Sequence, residues 1–149
     1  LRSAPAGHTK VLWMSDWSAF CLNCLSGGKT NADDMKAISA SNKLFVGGLR
    51  AIAPELMEGV SVMLQSATLL TNPSDYWISV INAGRAFQLS RVLKAVDEPI
   101  ADAGHVLSSL MHVADVLSIA GAHPSTVCCT KEQQPLVELA LEYMGGARL

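Results

Sequence analysis

Two cysteine pairs are the residues whose type and spacing best suit chemistry: Cys21-Leu22-Asn23-Cys24 near the start of the chain and Cys128-Cys129 near its end. Brought together, they could form two disulfides linking Cys21 and Cys24 to Cys128 and Cys129. Closing loops of that length contributes on the order of 4 kcal/mol in the chain-entropy view. Four cysteines allow three connectivities, and spacing does not choose among them. Buried thiols are the plainer alternative. A redox Cys-x-x-Cys belongs in a strand-helix-strand setting, which the periodicity here does not predict. Adjacent Cys128 and Cys129 chelate one zinc ion poorly, since ligand pairs are ordinarily separated by two residues, even with His123 as a substitute ligand. No metal is assigned. The compartment follows the sulfur chemistry: disulfides would place the protein among secreted ones.

The histidines are the second source of chemistry. Asp102, His105, Ser108, Ser109, His112 and Asp115 fall on one side of a helical pattern, opposite Leu107, Leu110, Met111, Ala114 and Leu117. His105 and His112 lie about 10 Å apart along such a helix, too far for one zinc ion. The plain reading is a solvated face. The sharper one makes His105 or His112 a ligand anchor that titrates near neutrality. Arg85 falls among Ile78, Ile81, Leu89 and Val92, with Trp77 nearby on the same element. Its stem would lie along apolar surface with the head in water, or the guanidinium would receive an anionic head group. Arg85, His105, His112 and Trp77 are therefore the candidate ligand anchors.

Two motifs fail on inspection. Gly28-Lys29-Thr30 resembles the end of a phosphate-binding loop, but Asn23 stands where the first glycine belongs. Lys43-Leu44-Phe45-Val46-Gly47-Gly48-Leu49 resembles one signature of an RNA-recognition domain, but the second signature is missing. No Gly-x-Ser-x-Gly elbow is present. Asp33-Asp34, Asp97-Glu98 and Glu138/Glu142 suit caps and solvated faces. No catalytic residue and no cofactor is assigned.

Composition bounds the partners. Of 149 residues, 50% are apolar and only 16% charged, against roughly 25% charged in ordinary soluble domains. Mean hydropathy is +0.28. Such a chain is expected to hide surface against a protein partner or a second copy, or to enclose an apolar small molecule. A net charge of -2 offers no overall pull toward nucleic acid, so no nucleic-acid partner is expected. No run of about 20 apolar residues predicts a transmembrane segment. The chain opens at Leu1 rather than Met, which reads as a processed or excised product.

The elements expected to position these residues are helical. A loose tail over 1–10 precedes a first helix over Val11–Leu25, with Trp13, Trp17, Phe20, Cys21 and Cys24 on one face. Asn31 caps a second, with a kink expected at Gly47-Gly48. Pro54 opens a third that runs to Leu70, striped by Leu56, Val60, Met63, Leu64 and Ala67. A fourth covers Asp75–Val96 and is expected to be central, small on one side and apolar on the other. A fifth starts at Pro99 and runs to Ala120, and a sixth covers Lys131–Met144. Short links favour antiparallel neighbours. The expected fold is all-α: one domain over 11–149, an antiparallel up-and-down bundle of five to six helices. The expected function is a non-catalytic assembly subunit, or else a carrier of a lipid-like molecule or an enzyme of unassigned class.

Overall fold

Strand pairing and helical spacing compete along the first seventy residues, and pairing wins twice. The computed structural model describes residues 7–23, 25, 33–96, 102–120 and 125–146. Along them run β1 (Lys10–Met14), α1 (Asp16–Cys21), α2 (Asp34–Ile52), α3 (Pro54–Met57), β2 (Val60–Leu64), α4 (Gln65–Thr71), α5 (Pro73–Ala86), α6 (Leu89–Lys94), α7 (Ala103–Ala120) and α8 (Gln134–Gly146). The chain is mostly helical, with a two-stranded parallel sheet. Two compact units divide it, 1–71 and 72–149.

In the first unit β1 and β2 pair in parallel, in register from Lys10 opposite Val60 to Met14 opposite Leu64. Parallel strands need a crossover, and α1, α2 and α3 supply it. The purely all-α expectation is corrected here. Val11, Leu12 and Trp13 belong to a strand rather than to the first turns of a helix, and Lys10, expected in the tail, opens that strand; 1–6 lie outside the described residues. The expected third helix is likewise cut in two. Gly59 sits at φ +68°, a conformation glycine adopts without the steric cost of a Cβ. Beyond it Val60, Val62 and Leu64 are half-buried while Ser61 and Met63 face solvent, the period-two pattern of a strand.

Gly47-Gly48 does not break α2, which is helical from Asp34 to Ile52. Each glycine costs a helix about 1 kcal/mol. Burial of Ile38 and Val46 on the inner face contributes roughly 1.5–3 kcal/mol each, which outweighs the loss. The expected cap Asn31 lies outside the described residues; Asp33 takes the cap position.

In the second unit the central helix is α7, not the fourth expected helix. Met111, Val113, Ala114 and Val116 are buried, and α7 packs on α5, α6 and α8. By length and apolarity alone α7 could cross a membrane; here it is a core helix. Its polar residues are corrected too, because Ser108, Ser109 and Asp115 are buried rather than solvated. The fourth expected helix breaks at Phe87-Gln88, both extended, into α5 and α6. It does not pack on both sides: on α5 Ile78 and Ile81 are exposed, while Tyr76, Val80 and Ala83 are buried. Of the expected small side only Ala83 is buried, while Ala86 and Ser90 are exposed. A Cβ on Gly84 would meet Leu110 Cδ1 at 3.2 Å. Ala83, Ala95, Val113, Val116, Leu139 and Ala140 form the core, with Phe87, Leu110 and Tyr143 packed against it. The fifth and sixth expected helices correspond to α7 and α8; Pro99 and Gly121 lie outside the described residues.

Candidate functional site

Both strands of the first unit end where a short helix begins, so their carboxyl ends bring Ser15-Asp16 beside Gln65-Ser66. In sheets with parallel strands this edge is where ligands ordinarily bind. Asp16 is 4% exposed. Its carboxylate accepts the Trp17 N–H at 3.0 Å, the Ser66 N–H at 2.9 Å and the Ser66 hydroxyl at 2.6 Å. One anion thereby serves the first turns of α1 and α4 at once, where helix dipoles favour negative charge. Two residues along α1, the fully buried Gln65 accepts the Ser18 N–H at 2.9 Å and donates to the Ser18 hydroxyl at 3.0 Å. Asp16 with Ser66, and Ser18 with Gln65, thus fix both strand-to-helix junctions.

A second polar cluster lies in the other unit, between α5 and α7. The Tyr76 hydroxyl donates to Asp115 Oδ1 at 2.7 Å, with both residues buried. Trp77 meets the Tyr76 ring edge-on, with centroids 5.8 Å apart. His112, one turn before Asp115, keeps a buried Nε2 without a hydrogen-bond partner among the described residues. Burial pushes its imidazole below the ordinary 6.5. The Trp13 Nε1 of the first unit is buried and unpartnered in the same sense.

Of the four expected anchors, only Trp77 touches the Tyr76–Asp115 pair, through the Tyr76 ring; His112 shares α7 with Asp115. Arg85 is exposed in the last turn of α5, favourable for a cation. His105 lies two turns before His112, with Nδ1 3.1 Å from Asp102 Oδ1. That bond holds the Asp102 carboxyl below its usual value. Asp102 also accepts the His105 N–H at 3.2 Å, the geometry of an N-cap.

The cysteines fall far apart in character. Cys128 and Cys129 are exposed free thiols. Cys21 is half-buried at the end of α1, and Cys24 and His123 lie outside the described residues. A strand-helix-strand unit does exist, contrary to expectation. The helix N-terminus that activates such thiols is nevertheless at the opposite end of α1. Among the described residues no three metal-ligating side chains gather.

Asp16, Ser18, Gln65 and Ser66 are absent from the residues singled out in the sequence. Their signal is faint: polar residues directly after two short apolar-rich runs. Asp115 is visible in the sequence, but as part of a solvated face, and Tyr76 is not singled out there.

No family model and no curated protein matches this chain. Solved structures do. Tyrosyl-tRNA synthetase from Leishmania major, in complex with tyrosinol in a triclinic crystal form, is 29% identical with a TM-score of 0.74, over 91% of this chain and 19% of that one. Its cubic crystal form gives 26% and 0.69, over 91% and 23%. Tyrosyl-tRNA synthetase from Aeropyrum pernix is 23% identical with a TM-score of 0.75, over 94% and 40%, a likeness of fold alone. The chain thus spans between a fifth and two-fifths of the length of the structures it resembles. These matches overturn the expected assembly subunit or lipid-like carrier, and with it the expectation of no nucleic-acid partner. Net charge, on which that expectation leaned, averages over a surface, whereas a polyanion responds to local charge. In fold, this chain is similar to part of a tyrosyl-tRNA synthetase.

Proposed function

We propose that the chain serves as part of a tyrosyl-tRNA synthetase-like protein and contributes to its hold on tRNA. The observation that carries this reading is the likeness to the Leishmania major enzyme, at 29% identity over 91% of the chain. The remainder of a synthetase would have to supply what this segment lacks, since it spans 19–40% of the chains it resembles. A structural rather than chemical contribution is supported by the two polar clusters. Ser66 donates to Asp16, Ser18 bonds to Gln65, and Tyr76 donates to Asp115.

Fluorescence anisotropy of labelled tRNA titrated with the chain tests this. Binding that weakens steeply from 50 to 200 mM salt is expected, as phosphate contacts release counterions. An unchanged signal at micromolar protein in 50 mM salt would reject the reading.

A further inference from the structure

One face of α2 carries cations and small residues only. Lys36, Ala40, Lys43, Gly47 and Arg50 are all exposed. At 3.6 residues per turn they fall within an arc of about 80°, and the three cations span about 21 Å of helix. No acid interrupts the helix after Asp34, which is buried. The acidic neighbours sit at the two ends. Asp33 Oδ1 lies 2.8 Å from Lys36 Nζ, and Glu55 and Glu58 border the same shallow hollow as Arg50. Lys43 occupies the middle.

Gly47 is the informative residue of this face. It lies in the helix interior without positive φ, and among the described residues a Cβ there would meet nothing within 4 Å. The fold therefore has no internal use for a glycine at a position where any other good helix former would serve better. A bare backbone between two cations is what the close approach of another molecule demands. The face holds no aromatic side chain, so it offers phosphate contacts rather than a base-stacking platform.

We propose that the Lys36–Lys43–Arg50 face of α2 is the surface on which the sugar-phosphate backbone of a tRNA stem docks, with Gly47 admitting it closely. This inference rests on the tRNA reading above and adds the place. Two variants test it by anisotropy with labelled tRNA: Lys43→Gln/Arg50→Gln, and Gly47→Gln. Each cation on a duplex phosphate contributes about 0.9 to the slope of log K against log salt. The double variant is expected to flatten that slope by about 2, and to weaken binding roughly 60-fold at 0.1 M salt. Gly47→Gln is expected to raise the melting temperature, as a better helix former, and yet to weaken binding. All three residues are exposed, so the helical far-UV spectrum should persist. If wild type binds and the double variant keeps its slope, the α2 face is wrong while the tRNA reading stands. If Gly47→Gln binds as wild type does, close approach at that residue is wrong. If wild type itself does not bind, both readings fall.

Discussion

Removing the Asp16 carboxylate should show how much of the first unit hangs on one anion. Asp16→Ala deletes two bonds to Ser66, at 2.9 and 2.6 Å, and one to the adjacent Trp17 N–H. The Trp17 bond is local and contributes little, because that residue is half-buried and water can replace the acceptor. The two Ser66 bonds join separate helices, and hydrogen bonds to a charged partner contribute about 1.5–3 kcal/mol each. The expected loss is therefore about 3–5 kcal/mol, a large share of the roughly 5–15 kcal/mol that holds a domain folded. Ser66→Ala removes the hydroxyl bond alone and should cost about 1.5–2 kcal/mol. Asp16→Ala/Ser66→Ala should fall short of the sum by about 1–2 kcal/mol, since both single changes break the same bond. Urea denaturation followed by tryptophan fluorescence is the assay, because Trp13 and Trp17 flank the site. An Asp16→Ala loss below about 1 kcal/mol, or full additivity in the double variant, would refute the reasoning.

Three further outcomes follow from the same physics. Tyr76→Phe deprives the buried Asp115 carboxylate of its 2.7 Å donor and should cost about 2–4 kcal/mol by thermal or urea unfolding. His112, with its folded-state value depressed by burial, holds fewer protons folded than unfolded below about pH 6.5. Stability should be flat above that pH and decline below it, at no more than about 1.4 kcal/mol per pH unit. Melting curves from pH 8 to 5 would show the decline, and His112→Gln should abolish it. Gly59→Ala places a Cβ at φ +68° and should cost about 1–2 kcal/mol although no atom stands in its way; an unchanged urea midpoint would contradict the strain argument.

The sequence by itself determined the elements that are long and regular. α2, α7 and α8 are legible because their apolar residues recur at helical spacing for three turns or more, whereas α5 begins at Pro73, two residues before the expected Asp75. Amphipathic spacing also separates Met111 and Ala114 from the surface. The polar side of α7 is not legible in the same way, because a wheel gives the direction of Ser108, Ser109 and Asp115 but not what covers them. Only the arrival of Tyr76 from α5 brings its hydroxyl to Asp115, and an acid can be buried only where such partners exist. The same holds for β1 and β2. Short runs of Val, Leu, Ser, Trp and Met fit a helix or a strand equally well in isolation. The choice fell to pairing between Lys10–Met14 and Val60–Leu64, a contact between segments distant in sequence that no local pattern records. The Asp16–Ser66 and Ser18–Gln65 bonds exist only because that pairing lays the two junctions side by side.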